Sequence, residues 1–181
     1  MTDSKRQSTA GRIITFAIIA AVVLADQLSK LAAVKGLVHV GNSSTAIPGV
    51  LDFKYILNSG ATAGILSDRR WIFMTVSTVV IIGLIVYLAL GRASRAAYAV
   101  PLAMICGGGI GNMIDRVARG TVVDFLDVTC FDFFPFNTVF NVADVCVCVG
   151  CGILIVSVAV VELKNRKKDK DHGRDDGKAE E

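Results

Sequence analysis

The amino-acid sequence predicts an all-α integral membrane protein with four transmembrane helices, a small extracytoplasmic β-sheet and both termini in the cytoplasm. Hydrophobic residues make up 53% of the 181-residue chain, and the mean hydropathy of +0.58 is too high for an ordinary soluble domain. Only 19% of the residues are charged, and they occur in blocks between long apolar stretches. These stretches approach the length that crosses a hydrocarbon core of roughly 30 Å. The chain length fits a single domain.

The predicted spans account for most of the apolar residues. They lie at residues 13–31, 71–90, 96–114 and 142–163. The basic start and the first apolar run resemble a secretory signal peptide, but the three later spans and the lack of a clear cleavage site favour an uncleaved helix. Residues 164–181 are densely charged and are predicted to form a disordered cytoplasmic tail. Residues 1–163 are therefore predicted to form one membrane domain.

The distribution of Lys and Arg predicts the orientation in the membrane. The N-terminal segment, the turn at residues 91–95 and the tail from residue 164 hold three, two and seven of the nineteen Lys and Arg residues. Because cytoplasmic connections carry an excess of these residues, both termini are predicted to be cytoplasmic. The connections at 31–70 and 115–141 then face the opposite side. The basic clusters lack interleaved aromatic residues and adjoin the spans, so nucleic acid is not an expected partner.

The first long connection contains a strand signal. Residues 50–57 read VLDFKYIL, in which apolar residues alternate with Asp52 and Lys54. A period of two predicts a strand with one buried face. Residues 38–40 are predicted to pair with it, and the Gly-Asn-Ser-Ser and Pro-Gly sequences between them are typical of turns. The sequence thus predicts a small sheet outside the membrane.

The five cysteines do not predict a metal centre or a disulfide framework. Four of them lie in apolar spans, where cysteine usually behaves as a small hydrophobic residue: Cys106, Cys146, Cys148 and Cys151. The run Cys-Val-Cys-Val-Gly-Cys has no accompanying His, and Cys130 stands alone in a loop. Neither a metal nor a cofactor is therefore expected.

Polar residues at the ends of the apolar spans are the candidate functional residues, because they are costly to bury without a role. Asp26 and Lys30 share one helix face, which also fits a simple ion pair at the membrane interface. Gly108, Asn112 and Arg116 are spaced i, i+4, i+8 and form a stripe on the third span. That stripe could bind a polar ligand, or it could only pack and anchor the helix end.

Two aspartates stand out on either side of the fourth span's start. Asp124 lies in a β-like run, and Asp144 begins the fourth span three residues after Asn141. Asn141 and Asp144 also fit a helix-capping pair, but capping does not account for Asp124. Two carboxyls that share one proton can activate a water and polarise a carbonyl. The residues therefore favour an aspartyl hydrolase, with a small proton-coupled membrane transporter as the alternative.

The order of these motifs resembles the lipoprotein signal peptidase family (signal peptidase II), which are four-span aspartyl membrane proteases. The resemblance is carried by DQLSK at 26–30, NSGA at 58–61, GGGIGNMIDR at 107–116, VVDF at 122–125 and FNVAD at 140–144. It implies that Asp124 and Asp144 form the catalytic dyad. It also implies substrate-binding or site-supporting roles for Asp26, Lys30, Asn58, Gly108, Asn112, Arg116 and Asn141.

The resemblance also implies a substrate and a location. The substrate would be a prolipoprotein with a diacylglyceryl group on its lipobox Cys, cut just before that Cys. The enzyme would lie in the bacterial cytoplasmic (inner) membrane among membrane lipids, with its site and a β-cradle at the extracytoplasmic face. Inhibition by globomycin is implied too, and we expect a monomer.

Two segments carry further expectations. After Asn58-Ser-Gly, the family tends towards Ala-Ala-Phe-Ser, and residues 61–66 depart from this pattern. The segment FDFFPFN at 131–137 is apolar enough to rest on the membrane surface. It is predicted to bring Asp144 back beside Asp124.

Overall fold

The computed structural model describes residues 6–59, 70–131 and 139–176, which form four helices and four strands. The helices are α1 (Thr9–Leu37), α2 (Arg70–Ala89), α3 (Ala96–Arg119) and α4 (Val142–Asp176). The strands are β1 (Ser43–Ile47), β2 (Leu51–Asn58), β3 (Val122–Asp127) and β4 (Val139–Phe140), with a short 3₁₀ turn at Thr129–Phe131.

The helices are apolar over most of their length. Three described stretches are long and apolar enough to cross a membrane: Thr9–Leu37, Ala96–Arg119 and Val142–Lys164. The apolar part of α2, Met74–Ala89, is shorter. The mainly helical architecture predicted from the sequence is therefore confirmed, and each predicted span lies within one of the helices, except that α2 ends one residue before the predicted span 71–90.

Helix α4 extends further than the sequence predicted. Disorder was expected from residue 164, whereas the helix continues to Asp176. Extending an existing helix adds one hydrogen bond per residue without a new nucleation cost. The Lys-rich sequence after Leu163 also contains no proline, which would end the helix.

Helix α3 is the centre of the bundle, where it packs against α1, α2 and α4. Small residues allow close contact: a Cβ at Gly107 would lie 2.8 Å from Val22 Cβ, and one at Gly150 would lie 2.9 Å from Pro101 O. Large apolar side chains instead cover the outside, as Ile155 does with 69% exposure. This distribution is typical of helices that pack on small residues and face lipid with large ones.

The N-terminal segment and the α2–α3 turn lie at the same end of the bundle. The Gln7 N–H donates to Gly91 O at 2.8 Å, and Arg12 Nη1 donates to Ala89 O at 3.3 Å. Gly91 has φ +68°, a conformation that glycine adopts without strain. The sheet and the polar site lie at the opposite ends of α1, α3 and α4.

The sheet is antiparallel, with strand order β1-β2-β3-β4. Strand β2 confirms the prediction for residues 50–57. The predicted pairing of residues 38–40 is wrong, because α1 continues through Leu37 and Val38 turns the chain with φ +60°. The partner strand β1 instead begins at Ser43, which was predicted to lie in the turn.

Two sequence expectations lie outside the described residues. They are the departure at residues 61–66 and the part of the apolar segment at residues 132–137. The predicted resting position of the 131–137 segment on the membrane therefore stays a prediction.

Candidate active site

The structure brings the two singled-out aspartates to one cavity. Asp124 lies in β3 and is only 2% exposed, whereas Asp144 lies in the first turn of α4. Both line a cavity of about 440 Å³ between the sheet and helices α2, α3 and α4. The other lining residues are Asn58, Ser77, Gly109, Asn112, Arg116, Val139, Phe140, Val147 and Cys148.

Asp124 is held by two amide side chains. Asn141 Nδ2 donates to Asp124 Oδ1 at 2.6 Å, and Asn58 Nδ2 donates to Asp124 Oδ2 at 2.8 Å. Burial raises the pKa of Asp124 to about 6, because desolvation penalises the carboxylate. The two amide hydrogen bonds and the Lys30 charge act in the opposite direction, while the Asp144 charge raises this pKa further.

Asp144 belongs to a helix-capping pair. The Asp144 N–H donates to Asn141 Oδ1 at 2.9 Å, and the Asn141 N–H donates to Asp144 Oδ2 at 3.2 Å. These reciprocal bonds form a capping box, so the capping interpretation of the sequence is confirmed. The other Asp144 oxygen accepts from Asn112 Nδ2 at 2.8 Å. The cap therefore also directs the Asp144 carboxyl into the cavity.

Lys30 forms the buried centre of the supporting network. Its Nζ lies 2.8 Å from Asp26 Oδ2, 3.1 Å from Asp115 Oδ2 and 3.0 Å from Asn112 Oδ1. These contacts use all three N–H donors of the ammonium. The predicted Asp26–Lys30 ion pair is present, but both residues are fully buried. Lys30 also contacts Asn112, which lines the cavity.

Asp26 joins α1 to the beginning of α4. Its Oδ1 accepts the Ala143 N–H at 2.9 Å, which satisfies a donor in the first turn of α4. Gln27 Nε2 donates to Asp26 Oδ2 and to Gly111 O, both at 3.1 Å. A Cβ at Gly111 would lie only 2.5 Å from Asp26 Oδ2, so glycine is required for this approach.

The predicted stripe on α3 divides between two roles. Asn112 and Arg116 line the cavity, whereas Gly108 packs against α4. A Cβ at Gly108 would lie 2.5 Å from Ala143 O, a contact that a side chain could not make without moving α4. The packing interpretation therefore applies to Gly108, and the cavity interpretation applies to the other two residues.

Two further residues complete the network. Asp115 is 1% exposed and contacts Lys30, and Gln27 contacts Asp26. The sequence predicts that Asp115 lies one helical turn from Asn112, in a polar group that could bind a ligand or only anchor the helix end, whereas nothing in the sequence singled out Gln27. Within the described ranges, no group of three or more His, Cys, Asp or Glu residues is placed to hold a metal ion.

Comparison with known proteins identifies the family. The family model of signal peptidase (SPase) II matches residues 18–160. The chain belongs to the signal peptidase II family. A lipoprotein signal peptidase from Symbiobacterium thermophilum is 40% identical over 152 residues, covering 83% of this chain and 96% of that protein. The lipoprotein signal peptidase of Bacillus subtilis is 35% identical over 148 residues, covering 81% and 94%.

Solved structures of a bacterial membrane enzyme share the fold of this chain. Two structures of a bacterial membrane enzyme match with TM-scores of 0.71 and 0.73 at 26% and 27% identity. They cover 92% and 87% of this chain and 96% and 97% of the solved chains. The resemblance predicted from the sequence is thus confirmed, and these relatives give no support to a transporter.

Proposed function

We propose that the chain is an aspartic endopeptidase that removes the signal peptide from diacylglyceryl-modified prolipoproteins, with cleavage just before the lipidated Cys. Membership of the signal peptidase II family and relatives named lipoprotein signal peptidase support this reaction. The observation that carries the assignment of residues is the convergence of Asp124 and Asp144 on one cavity. In this proposal they form the catalytic dyad.

The dyad works as a pair that shares one proton. Asp124 is the better candidate for the protonated member, because burial raises its pKa to about 6. Asp144 is then the base: it accepts a proton from a water as the water oxygen attacks the carbonyl carbon before the lipidated Cys. At the same time Asp124 donates its proton to the carbonyl oxygen. The product of this step is a tetrahedral diol.

The second step breaks the C–N bond. Asp144 passes its proton to the Cys nitrogen, which leaves as the amine, while Asp124 regains a proton from one hydroxyl of the diol. The signal peptide then ends in a carboxyl group, the lipoprotein begins with its lipidated Cys, and the dyad is back in its starting state. The amides of Asn58, Asn112 and Asn141 hold the carboxyls throughout, because each donates to one of them.

The supporting residues have defined tasks in this proposal. Asp26 and Lys30 hold α1, α3 and the start of α4 together, and Gly108 allows α3 and α4 to approach. Arg116 lines the cavity and is suited to bind a carbonyl or another electron-rich group of the substrate, because a guanidinium presents several donors in a plane.

The proposed membrane topology rests on the distribution of Lys and Arg along the chain and on which segments lie at the same end of the helix bundle. All four helices span the bilayer, both termini are cytoplasmic, and the dyad lies at the extracytoplasmic face. The hydrogen bond from Gln7 N to Gly91 O supports this arrangement, since it puts two Lys/Arg-rich segments at one end. The sheet and both aspartates are at the other end. The enzyme is located in the bacterial inner membrane.

Further expectations concern partners. The apolar outer faces of the helices contact membrane lipids, and the lipid and signal helix of the substrate reach the cavity from the bilayer. Globomycin-type inhibitors are expected to bind in the same cavity. A monomer is expected to be sufficient, because both carboxyls come from one chain.

The proposed function is tested by substituting each dyad residue. Asp124→Asn and Asp144→Asn are expected to insert in the membrane and to lose cleavage of a lipidated prolipoprotein in detergent, because neither amide can replace a carboxyl in proton transfer. Asp127→Asn is the matched control: it changes another buried carboxylate of β3, which pairs with Lys54 at 3.4 Å.

Cleavage is measured as the mobility shift of the lipoprotein on a gel, with and without the diacylglyceryl group on the substrate. Loss of cleavage in both dyad variants, with activity retained in the control, supports the proposal. Normal cleavage by either dyad variant would overturn the assignment of the dyad. Equal cleavage of the unlipidated substrate would overturn the proposed specificity.

A further inference from the structure

Asp115 is a buried carboxylate to which the proposed mechanism gives no task. It lies in the last turns of α3 and is 1% exposed. One of its oxygens, Oδ2, makes two contacts: Lys30 Nζ at 3.1 Å and the Val123 N–H at 3.2 Å. Its other oxygen, Oδ1, is buried and has no hydrogen-bond partner in the described part of the chain. A carboxylate is costly to bury in this way, so its contacts require an explanation.

Charge balance does not explain Asp115. Lys30 already has a closer carboxylate partner in Asp26, at 2.8 Å. One ammonium therefore faces two carboxylates, and the Asp26–Lys30 pair would stay balanced without Asp115. The contact that distinguishes Asp115 is its hydrogen bond to the backbone of β3, directly before the catalytic Asp124.

This part of β3 needs a partner on its outer side. In the part of the chain that the structure describes, strand β4 covers two residues, which pair with Leu126 and Asp127. The first half of β3 is therefore hydrogen-bonded to β2 but extends beyond β4. A buried backbone N–H without a partner is unfavourable. The Asp115 carboxylate supplies the acceptor that a longer β4 would have provided at Val123.

The same ammonium supports both members of the dyad. Through Asn112, Lys30 reaches Asp144, because Asn112 Oδ1 accepts from Lys30 and Asn112 Nδ2 donates to Asp144. Through Asp115, Lys30 reaches the backbone beside Asp124. Asn112 and Asp115 are one helical turn apart on α3. Each contacts Lys30, and they connect it to Asp144 and to the backbone beside Asp124.

We propose that Asp115 is a positioning residue, which holds β3 against α1 and α3 and thereby sets the placement of Asp124 relative to Asp144. This inference rests on the proposed function of the dyad. Its physical basis is that catalysis by a pair of carboxyls depends on their mutual placement, and a displacement of about 1 Å can reduce a rate by about 10²-fold.

Two substitutions of Asp115 are expected to differ in their effect on activity. Both contacts are made by one oxygen, so Asp115→Asn can keep them through its own carbonyl oxygen. Asp115→Leu has a similar shape but no acceptor, and it leaves the Asp26–Lys30 pair balanced. We expect Asp115→Leu to reduce kcat by about 10- to 100-fold with KM within about threefold, and Asp115→Asn to keep kcat within about threefold of the wild type.

The measurement is steady-state cleavage of a lipidated prolipoprotein by full-length protein in detergent, at equal folded concentration determined by thermal unfolding. Asp127→Leu is the matched control, since Asp127 is also buried and paired with a lysine, and its kcat is expected to be unchanged. If Asp115→Leu does not fold, Asp115→Ala takes its place under the same criteria. Exchange of the Val123 amide hydrogen is measured in parallel and is expected to be faster in the Leu variant only.

Three outcomes would overturn the inference: a kcat of Asp115→Leu within twofold of the wild type, an Asn variant as impaired as the Leu variant, or an equal loss in Asp127→Leu. Asp124→Asn separates this inference from the proposed function. If that variant still cleaves the substrate, the dyad assignment fails. If it is inactive while Asp115→Leu is fully active, only the positioning role fails.

Discussion

Replacing Gly108 by alanine tests how closely the site depends on the contact between α3 and α4. The added Cβ would lie 2.5 Å from the carbonyl oxygen of Ala143 and 2.8 Å from Val147 Cγ2. The Ala143 carbonyl belongs to the helix backbone, so it cannot rotate away from the new Cβ as the end of a flexible side chain could. Helix α4 must therefore move by about 1 Å to restore an ordinary contact distance.

This shift acts directly on the dyad, because Ala143 precedes Asp144 in the first turn of α4. A displacement of that size is expected to lower kcat/KM by about 10²-fold. Overpacking of a tight interface also costs about 1–3 kcal/mol of stability. The assay is cleavage of a lipidated prolipoprotein in detergent, combined with a thermal unfolding curve for each variant. Activity is then compared at a temperature where both proteins are folded.

Gly152→Ala is the control, because it lies in α4, the helix that Gly108 contacts, and its Cβ would meet no atom within 4 Å. This variant is expected to keep full activity and to be slightly more stable, since alanine favours the helix by up to about 1 kcal/mol. The reasoning is refuted if Gly108→Ala cleaves at the wild-type rate, or if Gly152→Ala loses as much activity as Gly108→Ala.

Two further predictions concern stability. Because burial raises the pKa of Asp124 to about 6, the folded state binds more protons than the unfolded state between pH 4 and 6. The stability of the wild type relative to Asp124→Asn is therefore expected to fall by about 3 kcal/mol as the pH rises through this range, and thermal unfolding of both proteins at several pH values would reveal a flat difference if this is wrong. Lys30→Met leaves two buried carboxylates without their cation, so a loss of about 3–5 kcal/mol is expected in the same measurement, and an unchanged unfolding midpoint would contradict it.

Features with a local cause were predictable from the sequence. The alternation in residues 50–57 predicted β2, and the Asn141–Asp144 spacing predicted the capping box, because both depend on residues close in the chain. The Asp26–Lys30 contact is another example, since one helical turn separates the two residues. Their burial was not predictable, because it depends on α3 and on the start of α4.

Features that depend on distant residues were predicted less well. The pairing of residues 38–40 was wrong, because α1 continues through Leu37 and the chain turns at Val38 before β1 begins at Ser43. The roles of Asp115 and Gln27 also depend on neighbours in other elements, which are Val123 and Gly111. Asp124 and Asp144 were singled out by their place beside the apolar spans and then matched to the family's motifs, while the amide contacts that hold them became visible only in three dimensions.

The hydrogen bond from Lys30 sets the orientation of the Asn112 amide beside the cavity. An ammonium can only donate, so the Asn112 oxygen must face Lys30, and the Asn112 NH₂ group must face Asp144. The same oxygen accepts from Asn141 Nδ2, which orients that amide so that it also donates to Asp124. Lys30 lies behind the cavity wall, yet it fixes which way the Asn112 amide points, while the Asp144 N–H fixes the oxygen of the Asn141 amide. With a neutral residue at this position, Asn112 Oδ1 would lose its charged donor and keep the neutral Asn141 amide, so the Asn112 NH₂ group would be held less firmly towards Asp144.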